Sequence, residues 1–168
     1  MPAVPADSSV PAHAQLDLEC FLPYRLSVLS NRVSDAIARV YSDRFALGVT
    51  EWRVMAVIGR YPGLSAGEVA QRTAMDKVAV SRAVAGLVDA GRLQRDTHGD
   101  DRRRSVLQLT DDGHRIYDEI APLALAFEQR LLDGIDVAER KLLFGLLDRL
   151  DELELQAEAQ GSGVVGAT

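Results

Sequence analysis

The sequence predicts a mainly α-helical protein with one small β-hairpin. Apolar residues recur at helical spacing through most of residues 22–153, and Ser, Thr or Asp stands where several helices would begin. Two short alternating segments also flank a charged turn near residue 100. With 168 residues, 47% of them hydrophobic, the chain is long enough to bury one core.

A long first helix is predicted to begin at Pro23, because proline suits a first helical turn, and to end near Gly48. A second helix is predicted from an N-cap at Thr50 to Tyr61, where a Pro-Gly pair ends it. The stripe of the first helix is Leu22, Leu26, Leu29, Val33, Ile37, Val40 and Phe45, and the second helix mostly buries Trp52, Val54, Met55, Val57 and Ile58.

Two further helices are predicted from their end signals. Ser65 and Glu68 form a capping box for a short third helix. Asp76 caps a fourth helix, which runs to about Ala90 and stops at Gly91, the residue type that most readily adopts a left-handed conformation. Its predicted buried face is Val80, Val84, Leu87 and Val88.

A β-hairpin and two more helices follow. Residues 93–96 and 105–109 alternate around the charged turn, and Thr110 begins a fifth helix. A second capping box, Asp136 with Glu139, precedes the sixth helix. The stripes of these two helices are Ile116, Ile120, Leu123, Phe127 and Leu131, and Leu143, Leu146, Leu150 and Leu153.

The first helix and the last two each carry a broad apolar stripe at opposite ends of the chain. Helices of two chains that interlace would bury these stripes, and an intramolecular bundle is the alternative. The predicted organisation is a disordered N-terminal tail (1–14), a helical dimerisation region (15–47 and 111–158), a middle module (48–110) and a disordered C-terminal tail (159–168).

The order of elements in the middle module is typical of a winged helix-turn-helix, in which the second helix of the turn motif enters the major groove of DNA. Opposite the buried stripe of that helix, small side chains would let the backbone approach the bases, and cations would contact guanine or phosphate. A solvated helix face is the alternative, and it is usually filled with Glu and Lys. The predicted DNA-contacting residues are Lys77, Val78, Ala79, Ser81 and Arg82.

The hairpin turn adds a cluster of like charges: Asp101 is followed by Arg102, Arg103 and Arg104. Three adjacent arginines repel one another unless an acid holds one of them and the others reach phosphate or the minor groove. We expect Asp101 to pair with a nearby arginine and to leave Arg102 or Arg103 for the minor groove. A solvated charged turn is the alternative.

The charge distribution supports this interpretation. The whole chain carries a net charge of −6, which is unfavourable for binding DNA. Between Thr50 and Thr110, however, ten basic and seven acidic residues give +3, so the remainder carries −9. We expect only the middle module to face DNA.

Three segments of the chain, residues 47–55, 80–93 and 101–113, make it resemble the MarR family of bacterial regulators from about Leu18 to Glu158. The resemblance implies an obligate homodimer on a pseudo-palindromic operator, usually a repressor, whose DNA affinity falls when a small molecule binds. It matches Ser81 and Arg82 to base- and phosphate-contacting positions, and Asp101 with Arg103 to the Asp-x-Arg pattern of the wing. Family members often have Ser or Thr where this chain has Val78 and Ala79, so the operator sequence does not carry over.

The resemblance also implies an effector pocket between the dimerisation helices and the DNA-binding module. Its candidate lining residues are Tyr24, Arg25, Ser27, Trp52 and Met55. Aromatic and arginine side chains would suit an aromatic acid, through stacking and a charge-assisted hydrogen bond. The alternative is that Trp52 and Met55 are ordinary core residues and Arg25 an ordinary surface residue.

Other classes of protein are disfavoured. Catalytic motifs, metal-ligand spacing and cofactor loops are missing from the sequence, so we expect no enzyme activity and no cofactor. We find no secretion signal or membrane-spanning stretch and expect a cytoplasmic protein. Cys20 lies beside Glu19, a carboxylate that disfavours a thiolate, which argues against redox sensing. A winged helix that binds proteins and no operator remains the alternative function.

Overall fold

The computed structural model describes residues 16–97 and 105–152. Its elements are α1 (Leu22–Phe45), α2 (Val49–Arg60), α3 (Ala66–Thr73), α4 (Lys77–Asp89), β1 (Leu93–Thr97), β2 (Ser105–Leu109), α5 (Asp111–Leu131) and α6 (Val137–Asp151). The predicted fold, mainly α with a β-hairpin wing, is therefore confirmed. The predicted tails at 1–14 and 159–168, together with Leu153, lie outside the described residues.

Three predicted helix caps form as expected. The hydroxyl of Ser65 accepts a hydrogen bond from the amide of Glu68, whose carboxylate accepts one from the Ser65 amide at 2.8 Å. Asp136 and Glu139 make the same reciprocal pair at 2.8 and 2.9 Å. Asp76 caps α4 through a single carboxylate oxygen. Each cap satisfies amides that have no partner within the helix.

The prediction that Thr50 caps α2 is wrong. The N-cap is Gly48, and Thr50 lies within the first turn of the helix. The carboxylate of Glu51 accepts a hydrogen bond from the Gly48 amide at 2.8 Å, which favours a start two residues earlier. Glycine has no side chain that could accept a hydrogen bond from a helix amide. The sequence therefore predicted the cap at Thr50, two residues later, whose hydroxyl could do so.

The two strands pair antiparallel, with Leu93 opposite Leu109. On its other edge β2 contacts the segment before α3: the Leu107 amide donates to the Leu64 carbonyl at 2.8 Å, and the Gly63 amide donates to the Leu107 carbonyl at 3.0 Å. The hairpin is therefore anchored to the loop between α2 and α3.

The core lies in the middle of the sequence. Among the described residues, every buried hydrophobic side chain falls between Tyr41 and Ile120. Trp52 lies between the rings of Tyr41 and Tyr117, with centroids 5.6 and 5.9 Å away. A Cβ at position 59 would approach the Tyr117 ring to 2.6 Å, so Gly59 allows α5 to pack close to α2.

The described residues fall into two compact units, and the second begins at Ala124. Within it, the guanidinium of Arg140 donates to the carbonyls of Leu132 and Ile135, both at 2.8 Å, and fixes the turn before α6. None of the residues of α6 is buried. In residues 16–97 and 105–152, no helix combines the length and apolarity needed to cross a membrane.

Candidate nucleic-acid interface

Helix α4 is positioned by one apolar face. Val80, Val84 and Leu87 are fully buried, and Ala83, which the sequence analysis did not include, is buried beside them. Val88, predicted to belong to this face, is half-buried. The face packs against α2 and α3, which leaves the opposite side of the helix free of the core.

The opposite face of α4 carries the predicted DNA-contacting residues. Lys77, Val78, Ser81 and Arg82 are exposed, and Ala79 is half-buried. Val78 is 55% exposed, so an apolar side chain stands among the polar ones on this face. Within the described part of the chain, neither Lys77 nor Arg82 forms an ion pair. Their charges are therefore available to a ligand.

A tight turn joins α3 to α4. Ala74 ends α3 in the left-handed conformation, with φ of 51°, and its amide donates to carbonyls of the last turn of α3. Asp76 then caps α4 by accepting the amides of Val78 and Ala79 at 3.0 and 2.9 Å. A groove of about 480 Å³ lies along α3 and this turn and reaches Lys77 at the start of α4. The turn sets the angle at which the start of α4 projects from the module.

The wing follows α4 through Gly91, whose φ of +69° reverses the chain. The two strands of the wing are described, with their paired residues in register. Asp101, Arg102, Arg103 and Arg104 lie outside the described residues. The pairing of Asp101 with an arginine and the contact of Arg102 or Arg103 with the minor groove therefore remain predictions.

The candidate effector residues separate into two groups. Tyr24 and Arg25 are exposed and line a groove of about 770 Å³ along α1, whereas Ser27 is exposed without lining it. Trp52 and Met55 are buried in the core, at 9% and 0% exposure, and neither lines that groove. The structure therefore does not bring the five residues together around one described cavity.

The sequence analysis missed a polar cluster between α1 and α2. The hydroxyl of Tyr41 is buried and has no hydrogen-bond partner among the described residues. Burial raises the pKa of this phenol, and the positive charge of Arg53 opposes the shift. The Arg53 guanidinium also donates to the Ser34 hydroxyl at 2.6 Å. Tyr41 follows Ile37 and precedes Phe45 at four-residue spacing, so the helical stripe was a signal that included it.

Cys20 is an exposed free thiol ahead of α1. Its amide donates to the carboxylate of Asp17 at 3.3 Å, and hydrogen bonding with Cys20 lowers the pKa of that carboxyl. The side chain of Cys20 takes part in the hydrogen bonding that lowers this pKa, and Asp17 and Glu19 are acidic neighbours, unlike the cations that activate a sensor cysteine.

Comparison with known proteins gives consistent matches. A family model described as MarR family matches residues 47–104. The HTH-type transcriptional regulator BilQ of Clostridium symbiosum (strain WAL-14163) is 31% identical over 93 residues, which are 55% of this chain and 65% of that protein. The putative transcriptional regulatory protein for the hcr operon of Thauera aromatica is 33% identical over 105 residues, 61% of this chain and 63% of that protein.

The same relationship holds in three dimensions. The crystal structure of a MarR/EmrR family transcriptional regulator from Acinetobacter sp. ADP1 is 27% identical, with a TM-score of 0.75. The match covers 81% of this chain and 96% of that one. Against the two curated relatives, the chain spans just under two thirds of their length. Family model, sequence relatives and fold agree: this chain is similar to the MarR family of winged-helix transcriptional regulators.

Proposed function

We propose that this protein is a cytoplasmic, homodimeric regulator that binds a pseudo-palindromic operator in duplex DNA and represses transcription until a small molecule weakens the complex. The observation that carries the proposal is the outward face of α4, where small and cationic side chains stand exposed on a helix whose other face is buried. A helix of this kind fits the major groove.

The chemistry of that face suits DNA. Arg82 has no acidic partner among the described residues and can donate two hydrogen bonds to one guanine. Lys77 lies at the N-terminal end of α4, where it can neutralise a phosphate. Val78 supplies an exposed apolar group for a thymine methyl. The hydroxyl of Ser81 can both donate and accept a hydrogen bond, so it can contact either a base or a phosphate.

Two separate surfaces support the dimer. The N-terminal half of α1 exposes Leu22, Leu26 and Leu29 at 49%, 42% and 57%. Independently, α6 exposes Leu142 at 64% and Phe144 at 46%. Large apolar side chains left exposed in such numbers on a helix indicate an interaction site. A second copy of the chain would cover both surfaces and present two copies of α4 to successive half-sites.

The proposed effector is an aromatic acid. Arg25 lies in the α1 groove beside Tyr24, so a carboxylate and a ring would find a charge-assisted donor and a stacking partner. Ser27 is an exposed hydroxyl one turn from Tyr24, whereas Trp52 and Met55 would take part only if the core between α1 and α2 opened.

The first experiment tests DNA binding. Purified protein is titrated against duplex DNA from the region upstream of its own gene at several salt concentrations, with a scrambled duplex of the same length as control. Tight, salt-sensitive and sequence-selective binding is the expected result. If this duplex, and duplexes from other upstream regions titrated in the same way, bind no better than the scrambled duplex, the protein-interaction alternative replaces the proposal.

A second titration tests the effector. Benzoate, salicylate and a pyridine carboxylate are added to the preformed complex, and release of labelled DNA is followed. We expect at least one aromatic acid to release DNA and Arg25→Ala to abolish its effect, while Arg39→Ala, an exposed arginine outside the groove, retains it. Equal release from the wild type and from Arg25→Ala would contradict the assignment of the groove.

A further inference from the structure

Arg92 occupies the junction between the recognition helix and the wing. It directly follows Gly91, whose φ of +69° ends α4, and directly precedes β1. Its amide donates to the Leu87 carbonyl in the last turn of α4 at 2.8 Å, and its own carbonyl accepts the Thr110 amide at 3.1 Å. The backbone of Arg92 is therefore held by α4 on one side and by the start of α5 on the other.

The start of α5 closes tightly over this junction. The Thr110 hydroxyl donates to the Gly91 carbonyl at 2.7 Å and accepts the Gly113 amide at 3.1 Å. A Cβ atom at position 113 would collide with the carbonyl of Arg92. The peptide of Arg92 consequently has little freedom to move unless α5 moves with it.

The side chain of Arg92 reaches a third element. Its Nη2 donates to the backbone carbonyl of Phe45 at 2.5 Å, across 47 positions of sequence, in a half-buried position. Phe45 is the last residue of α1, and Ala46 after it is left-handed. Carbonyls at a helix C-terminus lack partners within the helix and carry the negative end of its dipole, so a guanidinium is a favourable partner there.

We infer that Arg92 is a positioning residue for DNA binding: its guanidinium ties the end of α1 to the base of the wing and the end of the recognition helix. This role rests on the proposed function. In a dimer whose modules are held by α1, the orientation of α1 relative to α4 sets the distance between the two recognition helices. The affinity for an operator with two half-sites depends on that distance, whereas the affinity for a single half-site does not.

The chemistry of the contact makes the role specific. Arg92 bonds a backbone carbonyl, so its partner is present whatever side chain stands at position 45. Other polar contacts of α1, Arg53 with Ser34 and Arg44 with Glu119, join it to α2 and α5. Among the described residues, the Arg92 bond joins α1 to the segment between α4 and β1.

The test compares two DNA duplexes and two variants of the full-length protein. Arg92→Met keeps the aliphatic stem and removes the donors, and Arg92→Lys keeps a charged donor. Each is titrated against the operator and against a duplex that contains one half-site. Arg39→Met, an exposed arginine of α1, controls for the loss of one positive charge. Thermal unfolding and sedimentation verify that each variant is folded and has the wild-type oligomeric state.

The expected result is a loss of about tenfold in affinity of Arg92→Met for the operator, unchanged affinity for the half-site, and recovery of most of the loss in Arg92→Lys. Arg92→Met should also accept an operator whose spacing is altered by one base pair better than the wild type does. The slope of affinity against salt should not change, because Arg92 neutralises no phosphate in this role.

Three results would overturn the inference. They are an unchanged operator affinity of Arg92→Met, an equal loss on operator and half-site, and a lysine variant as weak as the methionine variant. A wild-type protein that prefers no duplex over a scrambled one overturns the proposed function as well, whereas selective wild-type binding with any of the three results overturns the positioning role alone.

Discussion

Gly113 lies so close to the backbone carbonyl of Arg92 that no Cβ atom fits between them. The contact joins the first turn of α5 to the residue between the end of α4 and the start of β1, and Leu109 closes the same space from the side of the hairpin. Three elements therefore meet at a point where only glycine is accommodated without movement.

The first prediction follows from this contact. Gly113→Ala should lower the free energy of unfolding by about 1 to 3 kcal/mol, because a backbone atom must shift to admit the methyl group. Urea denaturation at equilibrium measures the change. Gly145→Ala is the matched control: position 145 also lies in a helix, open space surrounds it, and alanine should raise stability by about 0.5 to 1 kcal/mol. Equal effects of the two substitutions would contradict the packing argument.

The cap of α4 gives a second prediction. Asp76→Ala removes the acceptor for the amides of Val78 and Ala79 and should cost about 1 kcal/mol of stability. Asp76→Asn retains an acceptor oxygen in the same place and should cost less. Thermal unfolding of the three proteins is the measurement, and an alanine variant as stable as the wild type would show that water replaces the cap without loss.

Direct readout by α4 gives a third prediction. Arg82→Ala should weaken binding to the operator by about 1 to 3 kcal/mol, because a base or phosphate contact is lost. Arg39→Ala removes the same charge from the exposed surface of α1 and should leave affinity close to that of the wild type. Fluorescence anisotropy with labelled operator measures both, and unchanged affinity of Arg82→Ala would remove Arg82 from the interface.

The wing gives a fourth prediction, for residues outside the described part of the chain. Arg103→Ala should weaken operator binding, because a contact between the wing and the minor groove is lost. Asp101→Ala should weaken binding indirectly, by freeing the arginine that it orients. If both variants bind like the wild type, the assignment of the wing is wrong.

The exposed face of α6 gives a fifth prediction. The double substitution Leu143→Glu with Leu146→Glu should convert a dimer of 18.3 kDa chains into monomers, because carboxylates do not tolerate burial in an apolar interface. Sedimentation velocity at micromolar concentration is the measurement. Lys141→Glu changes the net charge by the same amount on the same helix and should remain dimeric. A double variant that stays dimeric would move the interface away from α6.

The sequence predicted helix caps correctly where the side chain of the capping residue itself accepts the hydrogen bond. Ser65, Asp76 and Asp136 each cap a helix within three residues of their own position, so neighbouring residues sufficed to predict them. Gly48 was missed because its cap depends on the carboxylate of Glu51 and not on its own side chain. The exposed face of α4 was predictable because its periodicity separates buried Val80 and Val84 from exposed Ser81 and Arg82.

Contacts between distant segments were not predictable from pattern. The proposed effector residues were grouped only because the chain resembles the MarR family, and no spacing in the sequence relates them. The structure separates Tyr24, in an exposed groove, from Met55, in the core. The buried hydroxyl of Tyr41 beside Arg53 follows from the packing of α1 on α2, which no spacing along either helix specifies.

The sequence by itself determined the order of helices and hairpin, three of the helix caps and the two faces of α4, because each depends on residues within a few positions of one another. Only the tertiary structure decided that Arg92 bonds the carbonyl of Phe45 and that Gly113 lies against Arg92. These contacts join residues separated by tens of positions, and whether they form depends on how the helices pack in space rather than on any local periodicity.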